Sequence, residues 1–430
     1  MRGRLLVASL AVALVFAALA VALAASHRQG LDRSYGKHGI ARLFAPQEVK
    51  EDGEKVALAY IDARAFAAAD DGSAYVIVKL GGCRSRCRNG DFVYRFDRRG
   101  KLDRSFGGDG IVPLPKLGYA LGVATDRLGR PVVAAVLDGD VVVRRLSRAG
   151  RPDGSFGRAG SLRLDCNCAG YQLRVLRAPR GRTVVDVNVP LSGRDESVRA
   201  FRARIYRLGP DGRPDQSFGG SGSIVTKIRH PELPASVVIG SDGSILLGGS
   251  KCCGPREVYV ERIAADGKLD RGFERIASSS VRRLNTLGEF PTLAAALPRR
   301  DGGVDLVGTS QARHGFYLRL RSDGRLASGF GRRGLARLPF IVSTATRGRD
   351  GAIFAAGEAR PSYGYDAFRI LADGRPDPAY HGGHGIEIPL GGLRIHVAAA
   401  GRGWALVFDN GNSFCRSGCA AEPALARFLE

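Results

Sequence analysis

Leu102-Asp103-Arg104-Ser105-Phe106-Gly107-Gly108-Asp109-Gly110 is the stretch on which the reading of this chain turns. An acid two places before a serine, then an aromatic, then clustered glycines, describes a tight turn. The carboxylate caps backbone N–H groups and glycine supplies positive φ. Strong copies stand at Leu31-Asp32-Arg33-Ser34-Tyr35-Gly36, at Pro152 to Gly157 with Asp153 and Phe156, and at Pro214 to Gly219 with Asp215 and Phe218. Weaker copies carry Asp270 and Phe273, then Ala327 in place of the acid with Phe330, then Asp377 and Tyr380. Eight residues before each acid position stands an arginine, Arg95, Arg145, Arg207, Arg262, Arg319 and Arg369, and Arg427 completes the series at the chain end. The period is about 57 residues, which is the signature of a repeat architecture.

Apolar residues flank each arginine, as in Val93-Tyr94-Arg95-Phe96, and a second glycine turn lies between two apolar runs in each period, as at Gly129, Gly243 and Gly351. Each period therefore reads as four strands: a after the motif, b and c around the glycine turn, and d carrying the arginine. The c strands, such as Tyr75 to Leu80, are almost continuously apolar and need cover on both faces. Identical sheets packed radially supply it. The expectation is an all-β, seven-bladed β-propeller of four-stranded antiparallel blades over residues 25–430, with Arg427's strand finishing the last blade.

The motif resembles the signature of the bacterial delta-60 repeat family, and the resemblance runs from Gly30 to Glu430. It implies a β-propeller of exported or surface bacterial proteins and no general catalytic assignment.

At the N-terminus, Arg2 and Arg4 precede an apolar run from Leu5 to Ala24 that ends in Ala22-Leu23-Ala24. This reads as a signal helix over residues 1–24, with an uncleaved anchor as the alternative and the only route to the membrane. The protein is expected to be secreted or cell-surface. A net charge of +23, carried mainly by arginine, favours an anionic cell-envelope polymer or another surface protein as partner. The short charge blocks lack the aromatic interleaving that stacks bases, so no nucleic-acid signal is present.

An acid, an aromatic and an arginine at one offset in every blade mark a structural latch in preference to seven binding sites. In a four-stranded meander, the a–b and c–d loops share one face. The irregular segments fall there: 44–59, 190–198, 228–234, 278–290, 359–365 and 410–423. That loop-rich face is where a binding or surface-scaffold module would hold its partner.

Four cysteine pairs map to the same face: Cys83/Cys87, Cys166/Cys168, Cys252/Cys253 and Cys415/Cys419. In an exported protein they read as disulfides. The first and last pairs can close locally or link to each other. Cys166/Cys168 and Cys252/Cys253 can pair across blades, or hold a metal as four thiolates. His38, His381 and His384, from motifs that ring closure makes neighbours, form a second candidate metal site. No catalytic signature or cofactor motif is present, and only one tryptophan, Trp404, where quinone-dependent propellers tend to be rich in it. The other readings are a propeller enzyme with a site built from non-repeat loops, and a purely structural envelope protein.

Overall fold

Pro131–Leu137 reads Pro-Val-Val-Ala-Ala-Val-Leu, and as a strand it sends successive side chains to opposite faces. Val132 and Ala134 lie in one buried cluster with Val175, Val185 and Val187, whereas Val133 and Ala135 lie in another with Tyr75, Ile77 and Phe106. Both faces of this sheet are core, and each is covered by a different neighbouring sheet.

The computed structural model describes residues 30–43, 49–51, 54–56, 60–81, 90–114, 119–166, 168, 172–190, 201–226, 236–251, 257–285, 291–310, 314–348, 350–358, 365–388, 390, 395–399, 404–409 and 423–429. These form a seven-bladed β-propeller. From the inner strand outward, blade I comprises Tyr60–Ala68, Ala74–Gly81, Gly90–Phe96 and Ile111–Pro113, and blade II comprises Tyr119–Thr125, Pro131–Leu137, Asp140–Arg145 and Ser161–Leu164. Blade III begins at Leu173, blade IV at Ser236, blade V at Thr292, blade VI at Thr344 and blade VII at Ile395. Inner strands touch in succession around the ring, and Ile395–Ala399 returns to Tyr60–Ala68. The described apolar core divides into seven clusters, one in each interface between adjacent blades.

Three details depart from the sequence reading. First, the strand after each motif is the outermost strand of the blade that precedes it. Ile111–Pro113 pairs with Phe92–Tyr94, next to Arg95, instead of opening blade II. Second, the chain end does not finish blade VII. Ala424–Leu429 pairs with Ile40–Arg42 and with Gly30–Leu31, so a strand from the N-terminal motif completes the last blade. Third, blade IV has three strands, Ser236–Ile239, Ile245–Lys251 and Glu257–Ile263, and then the helix Arg271–Asn285. Its motif has Glu274 where strong copies have glycine. Asp270 caps the helix through the Phe273 N–H (2.9 Å), and Phe273, Ala277, Val281 and Leu284 lay one apolar face on blades IV and V. The segment 278–290, expected as an irregular loop, therefore belongs mostly to a helix.

Phe106 is fully buried, with its ring edge-on to Tyr75 at 5.6 Å and the residues of blade II around it. Phe106→Ala should destabilise the protein by about 3–5 kcal/mol, read as a lower urea midpoint with an unchanged slope.

Candidate functional site: the inter-blade latch and the two faces

Asp153 shows how the motif works. Its Oδ1 accepts the Ser155 N–H (3.1 Å) and hydroxyl (2.7 Å), closing the turn, while Oδ2 accepts Arg145 Nε (2.8 Å). Arg145 also donates to Ser155 Oγ (2.9 Å) and reaches across to the Pro210 carbonyl of blade III (2.5 Å). The guanidinium lies 4.7 Å from the Phe156 ring centroid. One arginine thereby binds its own turn, its own aromatic and the next blade.

The arrangement recurs around the ring. Arg207 joins Asp215 (2.8 Å), Ser217 and Phe218 to the Ala265 carbonyl of blade IV. Arg427 joins Asp32 (2.8 Å) and Tyr35 to the Arg98 carbonyl of blade I. Arg95 joins Asp103 (2.9 Å) to the Arg148 carbonyl of blade II (3.1 Å). Arg262 joins Asp270 (2.6 Å) and Phe273 to the Gly302 carbonyl of blade V (3.1 Å). Arg369 pairs with Asp377 and Asp350, and Tyr380 is buried beside Phe354. All seven motif aromatics are buried. The next blade's turn glycine packs on the aromatic: a Cβ on Gly212, at φ +82°, would lie 2.9 Å from the Phe156 ring.

Burial pushes the carboxyls of Asp32, Asp153 and Asp215 upward, but hydrogen bonds from the following serine and the arginine charge outweigh it and hold all three below the ordinary range. Asp270 is likewise held low, by the Phe273 N–H and Arg262 against its burial.

Blade V breaks the latch because Ala327 supplies no carboxylate. Arg319 turns instead to Asp305 (2.8 Å), a fully buried acid on the adjacent strand, and stays stacked 4.1 Å from the Phe330 centroid. Asp305 also accepts Arg347 of blade VI (2.6 Å) and the Tyr317 hydroxyl (2.8 Å). Sequence reasoning missed this acid, since the strand Val304–Thr309 shows it only as one polar residue in an apolar run. A surface cavity of about 650 Å³ opens where the motif aspartate would lie, lined by Arg319, Arg321, Ala327 to Gly331, Ala372 and Asp373. A second cavity, about 420 Å³, lies between the outer strand of blade III and blade IV, with Ile224, Val225, Ile263 and Leu269 as apolar walls and Glu261, Lys268 and Arg271 as polar groups. Near it, burial and the Glu261 charge push the Glu274 carboxyl upward.

The two ends of the propeller differ in kind. Turns between first and second strands are five residues long in blades I to VI (69–73, 126–130, 178–182, 240–244, 299–303 and 348–352). On the opposite face, the link between second and third strands runs from two residues in blade II (138–139) to 14 in blade VII (410–423). The corrected strand order renames these connections, and most of the irregular segments 44–59, 190–198, 228–234, 359–365 and 410–423 lie outside the described residues.

Cys83, Cys87, Cys252, Cys253, Cys415 and Cys419 lie outside the described residues. Cys166 and Cys168 are placed against each other with Cα atoms 5.0 Å apart, both buried in the cluster between blades II and III. The candidate partners in the neighbouring blade, Cys252 and Cys253, lie outside the described residues. The three histidines do not converge. His381 bonds its own turn through Nδ1 to the Gly385 carbonyl (2.8 Å), His38 sits exposed in its own turn, and no metal-holding group of three or more His, Cys, Asp or Glu occurs among the described residues.

No protein-family model matches the sequence, and no curated protein matches it. Among solved structures, similarity extends to polysaccharide lyase Uly1 (8% identity, 94% of this chain, 98% of that chain, TM-score 0.50). It also extends to virginiamycin B lyase from Staphylococcus aureus (10% identity, 86% and 95%, TM-score 0.47). A third is the PQQ-bound aldose sugar dehydrogenase from Streptomyces coelicolor (11% identity, 91% and 98%, TM-score 0.40). The likeness reports the fold.

Because Asp32, Asp153, Asp215 and Asp270 titrate lower folded than unfolded, their contribution is present above the unfolded value near 3.9 and is lost as pH falls through the folded one. The melting temperature should therefore drop steeply below about pH 4. Asp153→Asn should cost about 2 kcal/mol at neutral pH, and the gap to wild type should narrow on acidification. Peptide mass mapping without reductant should find Cys166 and Cys168 in one fragment lighter by two hydrogens.

Proposed function

We propose that this chain is an exported propeller of delta-60-type repeats that serves as a binding module, with its partner held on the variable-loop face. The observation that carries the reading is the asymmetry between ends: five-residue turns recur on one face, while connections of two to 14 residues occupy the other. Fixed turns are what the latch requires, and loops free of that requirement can diversify on a rigid frame.

The partner we propose is an anionic cell-envelope polymer. Six of the seven latch arginines pair with the acid of their own motif and Arg319 pairs with Asp305, so the surplus of +23 resides on other side chains. Exposed cations such as Arg33, Arg98, Arg99 and Arg104 stand in motif turns on the opposite face and contribute only to the long-range field of the whole molecule. A second reading, an enzyme, rests on the raised Glu274 carboxyl near the apolar cavity of blade IV.

Immobilised wall teichoic acid and polygalacturonate test the first reading, with the mature chain applied at physiological salt. Replacing 410–423 by the Asp-Gly turn of blade II should weaken retention by roughly tenfold and leave the melting temperature unchanged. Absence of retention by the intact protein, or equal retention by the shortened one, would contradict the assignment. N-terminal sequencing of protein recovered from the medium should start near Ala25.

A further inference from the structure

We propose that the cavity beside Ala327 is a carboxylate-binding site, in which the ligand's carboxylate takes the place that the motif aspartate holds in the other blades. The site lies on the short-turn face and is independent of the loop-face reading.

The argument begins with what the aspartate does elsewhere. In blade II its two oxygens accept the N–H two residues on and the arginine Nε. In blade V the corresponding N–H belongs to Gly329, which lines the cavity together with Ser328. The turn itself is intact without the acid: Phe330 N–H still donates to the Ala327 carbonyl (2.9 Å), and Ala327 N–H to the Arg319 carbonyl (2.9 Å). A preformed backbone cradle therefore survives where its anion has been removed.

Charge around the cradle is unbalanced in the same sense. Asp305 accepts from both Arg319 and Arg347 and has Arg299 Nη1 at 3.8 Å; with Asp301 paired to Arg299, two carboxylates face three guanidinium groups. Arg319 commits Nε and Nη2 to Asp305 and Tyr317, while its Nη1 has no hydrogen-bond partner among the described residues. Arg321 lines the cavity, exposed and without an ion pair among the described residues. The one carboxylate on the rim, Asp373, accepts Arg375 through Nε (2.8 Å) and Nη2 (2.6 Å). A cavity of about 650 Å³ exceeds a bare carboxylate and admits one carried on a sugar or amino-acid body.

Calorimetric titration with glucuronate, N-acetylglycine and acetate tests the site and distinguishes the bodies, with inorganic sulfate as the comparison anion. Glucuronate or N-acetylglycine should saturate one site more tightly than sulfate. Ala327→Asp, which refills the cradle from within, should reduce that affinity at least about tenfold while melting at or above the wild-type temperature. Arg321→Gln should weaken binding about fivefold with an unchanged melting temperature, and it serves if the first variant does not fold. No saturation by any carboxylate, equal affinity for sulfate, or wild-type affinity in both variants would overturn the proposal.

Discussion

A sheet of four short strands that is apolar on both sides has to be covered twice. The alternation in Pro131–Leu137 sends Val132 and Val133 into different clusters, and neither cluster lies within the sheet that produces it. Packing identical sheets in a row would leave two bare faces at the ends. Closing the row into a ring removes them, and that constraint explains why an N-terminal strand, Ile40–Arg42, is hydrogen-bonded to the C-terminal Ala424–Leu429.

The polar latch depends on this apolar packing. A guanidinium such as that of Arg145 is placed among buried aromatics, where loss of water is costly unless every donor is met. Its acid, serine hydroxyl and neighbouring carbonyl take one N–H each from Nε, Nη2 and Nη1, so the latch sets the relation between two blades as well as the turn within one. Where the acid is missing, Asp305 supplies the countercharge from another strand, and the aromatic stack over Phe330 is kept. The requirement is for a satisfied cation between blades, and the source of the carboxylate can change.

Blade number, strand count per period and the burial of each motif aromatic were legible because each is repeated. The phase was not, because a cyclic repeat reads identically from any starting strand; only the pairing of Ile111–Pro113 with Phe92–Tyr94 assigns that strand to blade I. The helix of blade IV was legible in principle. Phe273, Ala277, Val281 and Leu284 follow helical spacing behind Asp270, but Asp270 and Phe273 also match the repeated turn motif at the same offset. The role of Asp305 was not legible, since its partners Arg319 and Arg347 come from separate strands. Both cavities lie at two of the three copies that depart from the pattern, where sequence rules give way to local need.

Hydrogen exchange on the chain from residue 25, compared with one starting at residue 44, tests the central claim most directly. Removing the N-terminal strand takes Tyr35, Ala41 and Leu43 from the interface between blades VII and I. Mutual cover predicts that amide protection collapses first in the strands of those two blades and that the melting temperature falls. Unchanged protection there, at an unchanged melting temperature, would mean that each blade is stable without its neighbour and would contradict the account.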